Sequence, residues 1–321
     1  MLIPVLWFLL GLVLLIKGGD WFVDGATGVA KRFRIPELLI GATVVSIGTT
    51  LPEVMVSATS ALSGHGEIAY GNAIGSIICN TALVAALTIA IRPATVDRTA
   101  LKTPVLFFFL AATVYAVVAY MTGYFSRFIG LVLIGIFVVY MLLTVRQAME
   151  APNQRQEVDE PHEKRDLAKH LLLLVIGAGL IAWGANLLVD NGTLIAEALG
   201  VPESVIALTF VALGTSLPEL VTAITSLAKG HGALSLGNII GANLFNLVLV
   251  SGVSVVLSPF AVPSGTTIAG MNASLVLDIP LMFIVMLLMT LPALLHGKLS
   301  RWQGVLLLAI YASFCAFQFI A

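Results

Sequence analysis

One feature constrains the fold more than any other. Shifted against itself by 166 residues, the chain aligns GATVVSIGTTLPEVMVSATSALSGHGEIAYGNAIGSIICN (41 to 80) with ALTFVALGTSLPELVTAITSLAKGHGALSLGNIIGANLFN (207 to 246), without a gap. Gly48-Thr49 falls on Gly214-Thr215, Leu51-Pro52-Glu53 on Leu217-Pro218-Glu219, Gly64-His65-Gly66 on Gly230-His231-Gly232, Gly71-Asn72 on Gly237-Asn238, and Asn80 on Asn246. Upstream, Asp24 pairs with Asp190 and Pro36-Glu37 with Pro202-Glu203. The chain is therefore two copies of one structural unit.

The surroundings of the repeat fix its solvent. Of 321 residues 59% are hydrophobic and 10% charged, where a soluble domain carries about 25% charged residues. A spanning helix needs about 20 apolar residues. Apolar runs between polar or Gly/Pro punctuation predict spans near 2 to 18, 36 to 63, 67 to 91, 103 to 121, 127 to 146, 170 to 190, 202 to 228, 233 to 257, 273 to 295 and 302 to 320. The first run has neither a basic leading segment nor a small-residue cleavage site, so it counts as a span and not a signal peptide. The expected fold class is all-α: a polytopic membrane protein of ten transmembrane helices. Residues 1–146 and 170–321 form the two five-helix units, and the polar stretch 147–169 is a mobile cytoplasmic linker. Five is odd, so the second unit starts on the opposite membrane face and the repeats are inverted. Inverted repeats characterise secondary transporters, whose substrate sites lie at the bilayer midplane on discontinuous helices of both halves.

Charge supplies the orientation. With the N-terminus outside, the inner loops and span ends hold fifteen of the sixteen Lys and Arg residues, and Arg127 alone is outside. Lys and Arg concentrate on cytoplasmic loops, so both termini are expected to be extracytoplasmic. The formal net charge of −1 gives no basic surface for nucleic acid. Cys79 and Cys315 lie in apolar runs without metal-type spacing and read as buried thiols. The expected partners are membrane lipid and small cations.

Glu53 and Glu219 sit deep in their spans, where an ionisable residue is expensive and marks function by default. Pro52 and Pro218 cannot bond to the carbonyls of Gly48 and Gly214, which frees backbone oxygens in the turn that also carries Thr49, Thr50, Thr215 and Ser216. Thr49 and Glu53 are four residues apart, as are Thr215 and Glu219, and the next span offers Ser76 with Asn80, or Ala242 with Asn246, at the same spacing. An all-oxygen set with two carboxylates suits hard cations: calcium takes six to eight oxygens at about 2.3 to 2.6 Å, whereas transition metals would call for His or Cys. Two carboxylates neutralise one Ca²⁺ or two Na⁺, so one site can serve both ions in turn. No cofactor is implied, and no Walker motif appears that would support pumping by ATP.

GTTLPE and GTSLPE in two inverted halves, followed by GNAIGSIICN and GNIIGANLFN, resemble the two alpha repeats of the calcium/cation antiporter superfamily, and most closely its bacterial sodium/calcium exchanger branch. The resemblance implies exchange of Ca²⁺ for Na⁺ by alternating access. It implies a central calcium site of Thr49, Glu53, Thr215 and Glu219. Ser46, Thr50 and Ser76 would serve one flanking sodium site, and Ala212 and Ser216 the other, with Ser46 and Ala212 giving backbone carbonyls. Asn80 and Asn246 would lie at the middle of the cluster. Family members often carry a hydroxyl residue at the position of Ala242 and an aspartate at that of Asn246.

Two rival functions follow from the same residues. In proton-coupled or potassium-dependent exchange, Glu53 and Glu219 would take protons, or the site would also take potassium; the abundance of small hydroxyls favours sodium. An intramembrane hydrolase would need two carboxylates in divergent environments, and the duplication makes them equivalent, so the chain reads as a transporter and not an enzyme. His65 and His231 fall in Gly-flanked turns, and Asp24, Asp190 and Asp278 lie near predicted span ends, where capping is their ordinary role.

Overall fold

The computed structural model describes residues 2–33, 35–150, 160–198, 212–265 and 267–320. The apolar runs form helices because in lipid only a helix or a closed barrel satisfies every backbone N–H and C=O. In chain order they are α1 (Leu2–Phe33), α2 (Glu37–Leu62), α3 (Gly66–Ile91), α4 (Arg98–Thr122), α5 (Arg127–Glu150), α6 (Glu160–Ala198), α7 (Leu217–Ala228), α8 (Gly232–Leu257), α9 (Ser274–His296) and α10 (Arg301–Ile320). Among the described residues eight helices are long and apolar enough to cross a membrane, and Leu217–Ala228 and Arg301–Phe317 are shorter apolar helices. The protein is a nearly all-helical integral membrane protein.

Three expectations change. The span placed at 2 to 18 continues to Phe33, because Gly18 and Gly19 are packing positions and not stops. A Cβ on Gly18 would meet the backbone of Ile181 and Gly177 on α6. Farther along, Gly11 and Gly184 face each other so closely that a Cβ on either would lie 2.8 Å from the carbonyl oxygen of the other. Small residues thus let α1 and α6 approach along their lengths. The stretch read as a mobile linker from 147 to 169 is helical at both ends, since α5 runs to Glu150 and α6 starts at Glu160. Its residues 160–169 are helix formers with Pro161 in the first turn, where a missing N–H costs nothing. The start of the span placed at 202 to 228 lies outside the described residues.

The third change is β structure in the connections. Strands β1 (Ala94–Thr95) and β6 (Lys298–Leu299) pair antiparallel, as do β2 (Tyr124–Phe125) with β3 (Phe260–Ala261) and β4 (Thr267–Ile268) with β5 (Met271–Asn272). Two-residue strands are too short to show a period of two in sequence.

The 166-residue register survives folding. α3 and α8 begin and end on equivalent residues, Gly66 with Gly232 and Ile91 with Leu257. The preceding turns both place glycine in the left-handed region, Gly64 and Gly230 each at φ +84°. β1 and β3 also coincide under the shift. α3 and α8 are the most buried of the long helices, and the core around them includes Ile74, Ile77, Phe108, Tyr115, Phe245 and Met286.

Candidate functional site

Backbone irregularity surrounds the two glutamates. α2 opens with a helical turn, Glu37–Ile40, widens into a π-turn, Gly41–Val45, and resumes at Ser46 as a helix that contains Pro52. Ser46 Oγ donates to the Gly41 carbonyl at 2.7 Å, and Tyr140 OH on α5 donates to the Ala42 carbonyl at 2.8 Å, so the widened turn keeps its acceptors engaged. The second copy is broken. A one-turn helix, Ala212–Thr215, is followed by Ser216 at φ −91° and ψ 3°, and α7 begins at Leu217 with Pro218 in its first turn. Glu219 therefore sits in the first turn of α7, where unpaired N–H groups favour negative charge. Asn80 and Asn246 each open a π-turn, Asn80–Ala85 in α3 and Asn246–Val250 in α8. Such turns concentrate at functional sites.

The carboxylates of Glu53 and Glu219 are both 0% exposed. Among the described residues none of their four oxygens finds a hydrogen-bond partner at bonding geometry, although burial of an uncompensated charge is among the costliest things a fold can do. The two are near enough to act on each other through their charges. Asn80 and Asn246 are equally buried, and neither side-chain amide has a partner among the described residues. The hydroxyls of Thr50 and Ser216 are in the same condition. Ser46, Thr49 and Ser76 are buried as well.

A cross-link between the repeats holds one side of this cluster. Ser46 Oγ shares its single proton between the Gly41 carbonyl and the Asn238 backbone carbonyl at 2.9 Å and approaches Asn238 Oδ1 at 3.3 Å, and Thr49 Oγ1 donates to Asn238 Oδ1 at 3.2 Å. Thr49 also lies beside Glu219. Asn72, the counterpart of Asn238, stays within its own copy and donates to Ser57 Oγ at 2.8 Å and to the Glu53 carbonyl at 3.3 Å.

Of the residues singled out in the sequence, Ser46, Thr49, Thr50, Glu53, Ser76, Asn80, Ser216, Glu219 and Asn246 are all buried, and they come from α2, α3, α7, α8 and, for Ser216, the break just before α7. Ala212 opens the one-turn helix. Thr215 is only half-buried. It lines, with Gly48, Pro52, Asn186 and Asp190, a cavity of about 810 Å³ bounded by described residues of α2, α6 and α7. Sequence reasoning did not assign Asn238 and Asn72 to the site; the doubled Gly-Asn pair was the available signal. It also missed the π-turns, which a helical period cannot distinguish from α-helix.

Other polar residues find ordinary partners. Asp24 is not at a helix end: its Oδ1 accepts from Lys229 Nζ at 2.8 Å, with Asp20 Oδ1 at 3.5 Å, tying α1 to the turn between α7 and α8. His231 Nδ1 meets Glu37 Oε1 at 2.9 Å. Among the described residues no three or more His, Cys, Asp and Glu side chains converge. The charge available to a cation here is that of the two glutamates, supplemented by neutral oxygens.

Comparison with known proteins agrees with this chemistry. The profile of the family described as sodium/calcium exchanger protein matches residues 3–146 and 169–320. An uncharacterized membrane protein of Methanocaldococcus jannaschii is 36% identical over 319 residues, covering 97% of this chain and 96% of that one. The sodium/calcium exchanger MaX1 of Methanosarcina acetivorans is 30% identical over 347 residues, covering 97% of each. Among solved structures, the sodium-calcium exchanger NCX_Mj soaked with 2.5 mM Na⁺ and 10 mM Sr²⁺ superimposes with a TM-score of 0.84 at 35% identity, over 98% of both chains. With a family match across both halves and relatives of this identity along nearly its whole length, the chain belongs to the sodium/calcium exchanger protein family and is a cation-exchanging membrane transporter, not an enzyme.

Proposed function

We propose that the protein exchanges Ca²⁺ for Na⁺ by alternating access at the Glu53–Glu219 cluster. One observation carries the reading: four carboxylate oxygens, fully buried and without a hydrogen-bond partner among the described residues, supply two negative charges, which one Ca²⁺ or two Na⁺ would neutralise. Thr49, Glu53, Thr215 and Glu219 form the central calcium site in this reading. Ser46, Thr50 and Ser76 serve one flanking sodium site, Ala212 and Ser216 the other, and Asn80 and Asn246 lie between them. A solved exchanger similar to this chain was soaked with sodium and strontium, a divalent ion of calcium's type.

The same proposal includes ten crossings in two inverted five-helix repeats, residues 1–146 and 170–321 joined through 147–169. The strand pairs support it. β1 follows the third helix and pairs with β6, which follows the ninth; β3 follows the eighth helix and pairs with β2, which follows the fourth. Chain ends that meet must lie on one face, and odd meets odd while even meets even, as ten crossings require. β1 and β3 are equivalent under the repeat yet fall on opposite parities, which inversion demands. The bias in Lys and Arg then puts the odd face in the cytoplasm and both termini outside a bacterial inner membrane.

Radiolabelled calcium uptake into sodium-loaded proteoliposomes tests the function. Uptake that requires internal sodium, and that potassium or a pH gradient cannot replace, supports it. Uptake driven equally by a proton or potassium gradient assigns the coupling to another ion.

A further inference from the structure

Beyond the cluster, the α7–α8 hairpin contains hydroxyls that nothing among the described residues engages. Thr222 and Ser226 are 0% exposed and Ser235 is 2% exposed, and among the described residues none of their side-chain oxygens has a hydrogen-bond partner. Glu219, Thr222 and Ser226 follow one another at spacings of three and four residues, along one face of α7. Ser226 and Ser235 stand at equal distances on either side of the Gly230-His231 turn, where the His231 N–H donates to the Ser226 carbonyl at 2.7 Å. One helical turn beyond Ser235 lies Asn238, whose Nδ2 also lacks a partner.

This face of α7 points inward. Val221 and Thr225 are the side chains that meet α1, at Gly19. Thr222 and Ser226, one residue on and about 100° round the helix, turn toward the interior, where α7 packs on Asn80–Ala85 and Ala86–Ile91 of α3.

Packing alone does not account for these hydroxyls. A buried hydroxyl without a partner is unfavourable, and an apolar group of the same shape would serve the core better. The usual accommodation in membrane helices is a bond to the carbonyl four residues back. Thr43, Thr59, Thr113, Ser254 and Thr290 all make it, and Thr222, Ser226 and Ser235 do not. The first repeat lacks the line: its counterparts are Val56, Ser60 and Ala69, and the nearby Ser57 accepts from Asn72.

We propose that Thr222, Ser226 and Ser235 line the route by which small hard cations pass between the Glu53–Glu219 cluster and the membrane face bearing the Lys229–His231 turn. The inference rests on the cation-exchange reading of the cluster and names its path to the odd-numbered face. Neutral hydroxyl oxygens replace the water of a dehydrating Na⁺ or Ca²⁺ without adding charge that would trap it, as a conduction path requires. Full burial of all three side chains means that the route is closed in this structure. At its mouth the Lys229 ammonium, which would repel a cation, is offset by Asp24 at 2.8 Å.

The test uses the full chain in proteoliposomes, in a Cys79→Ala/Cys315→Ala background carrying Ser226→Cys or Ser235→Cys. A charged, membrane-impermeant methanethiosulfonate reagent should modify both positions only from the Lys229–His231 side, faster during exchange than without ions, and should block exchange. Thr222→Val, which keeps shape and removes only the hydroxyl, should lower the maximal exchange rate several-fold with little change in half-saturating calcium, while melting no lower than the parent. Cysteines unreactive in an actively exchanging protein, or a Thr222→Val/Ser226→Ala/Ser235→Ala protein exchanging at full rate, would overturn the route. Glu219→Gln separates the two claims. If it exchanges normally, the cluster reading fails; if it is inactive while the hydroxyl-free protein exchanges at full rate, only the route fails.

Discussion

Glu219→Gln removes one of the two charges on which the account rests while keeping shape and one carbonyl oxygen. The wild-type carboxylate is 0% exposed and has no hydrogen-bond partner among the described residues, so no cationic side chain among them shares its charge. At an effective dielectric of about 20, unit charges about 4 Å apart interact by about 4 kcal/mol, and a divalent ion doubles this to about 8 kcal/mol. Dehydrating the carboxylate cancels several kcal/mol of that gain, leaving about 3 kcal/mol or more. At about 1.4 kcal/mol per tenfold, calcium affinity should fall at least about a hundred-fold. Without ions, the variant should melt no lower than the parent, because an uncompensated buried charge has gone. The assay is the initial rate of radiolabelled calcium uptake against calcium concentration in sodium-loaded proteoliposomes, with thermal melting of the ion-free protein beside it. A half-saturating calcium concentration within about threefold of the parent, a difference of under about 1 kcal/mol, would mean that the Glu219 charge does not hold the calcium ion. Glu53→Gln should behave in the same way.

Three further outcomes are expected. Single cysteines in a background lacking Cys79 and Cys315 should be labelled from the cytoplasmic side alone within 147 to 169, and from outside alone within 258 to 272; the reverse would overturn the orientation. Ala242→Ser, which adds at a fully buried position the hydroxyl its counterpart Ser76 carries, should raise apparent sodium affinity, and Ser76→Ala should lower it, each by about five-fold or more if one good ligand contributes about 1 to 3 kcal/mol. A sodium titration of calcium flux that left both unchanged would remove these positions from the sodium sites. Gly184→Val, whose Cβ would lie 2.8 Å from the Gly11 carbonyl oxygen, should destabilise the α1–α6 pair by about 1 to 3 kcal/mol, seen as a lower melting temperature.

The legible parts of the fold were those that a long pattern determines. The duplicated Leu-Pro-Glu, Gly-His-Gly and Gly-Asn pairs located α2, α3, α7 and α8 within a residue or two wherever these are described, because apolar periodicity and punctuation agree there. Gly18-Gly19 misled because glycine serves both as a helix stop and as a close-packing surface, and only the partner helix tells which. The identical Leu-Pro-Glu gave a continuous helix around Pro52 and a break at Ser216. Local sequence does not account for that difference, since the clash of proline with the carbonyl four back is common to both copies. The buried cluster followed from charge in an apolar setting. The roles of Asn238 and Asn72 did not, since one bonds across the repeats and the other within its own. The orphan hydroxyls of Thr222, Ser226 and Ser235 were likewise hidden, because a Ser or Thr in a helix announces its partner only in three dimensions.

The central claim is that one pair of buried carboxylates serves calcium and sodium in turn. Isothermal titration of the purified protein with calcium, repeated at rising sodium in an osmotically and ionically balanced series, measures this directly. Sodium should weaken calcium binding competitively and without limit, and Glu53→Gln and Glu219→Gln should each abolish the calcium signal. Calcium affinity independent of sodium, or calcium binding that survives in either variant, would contradict the claim.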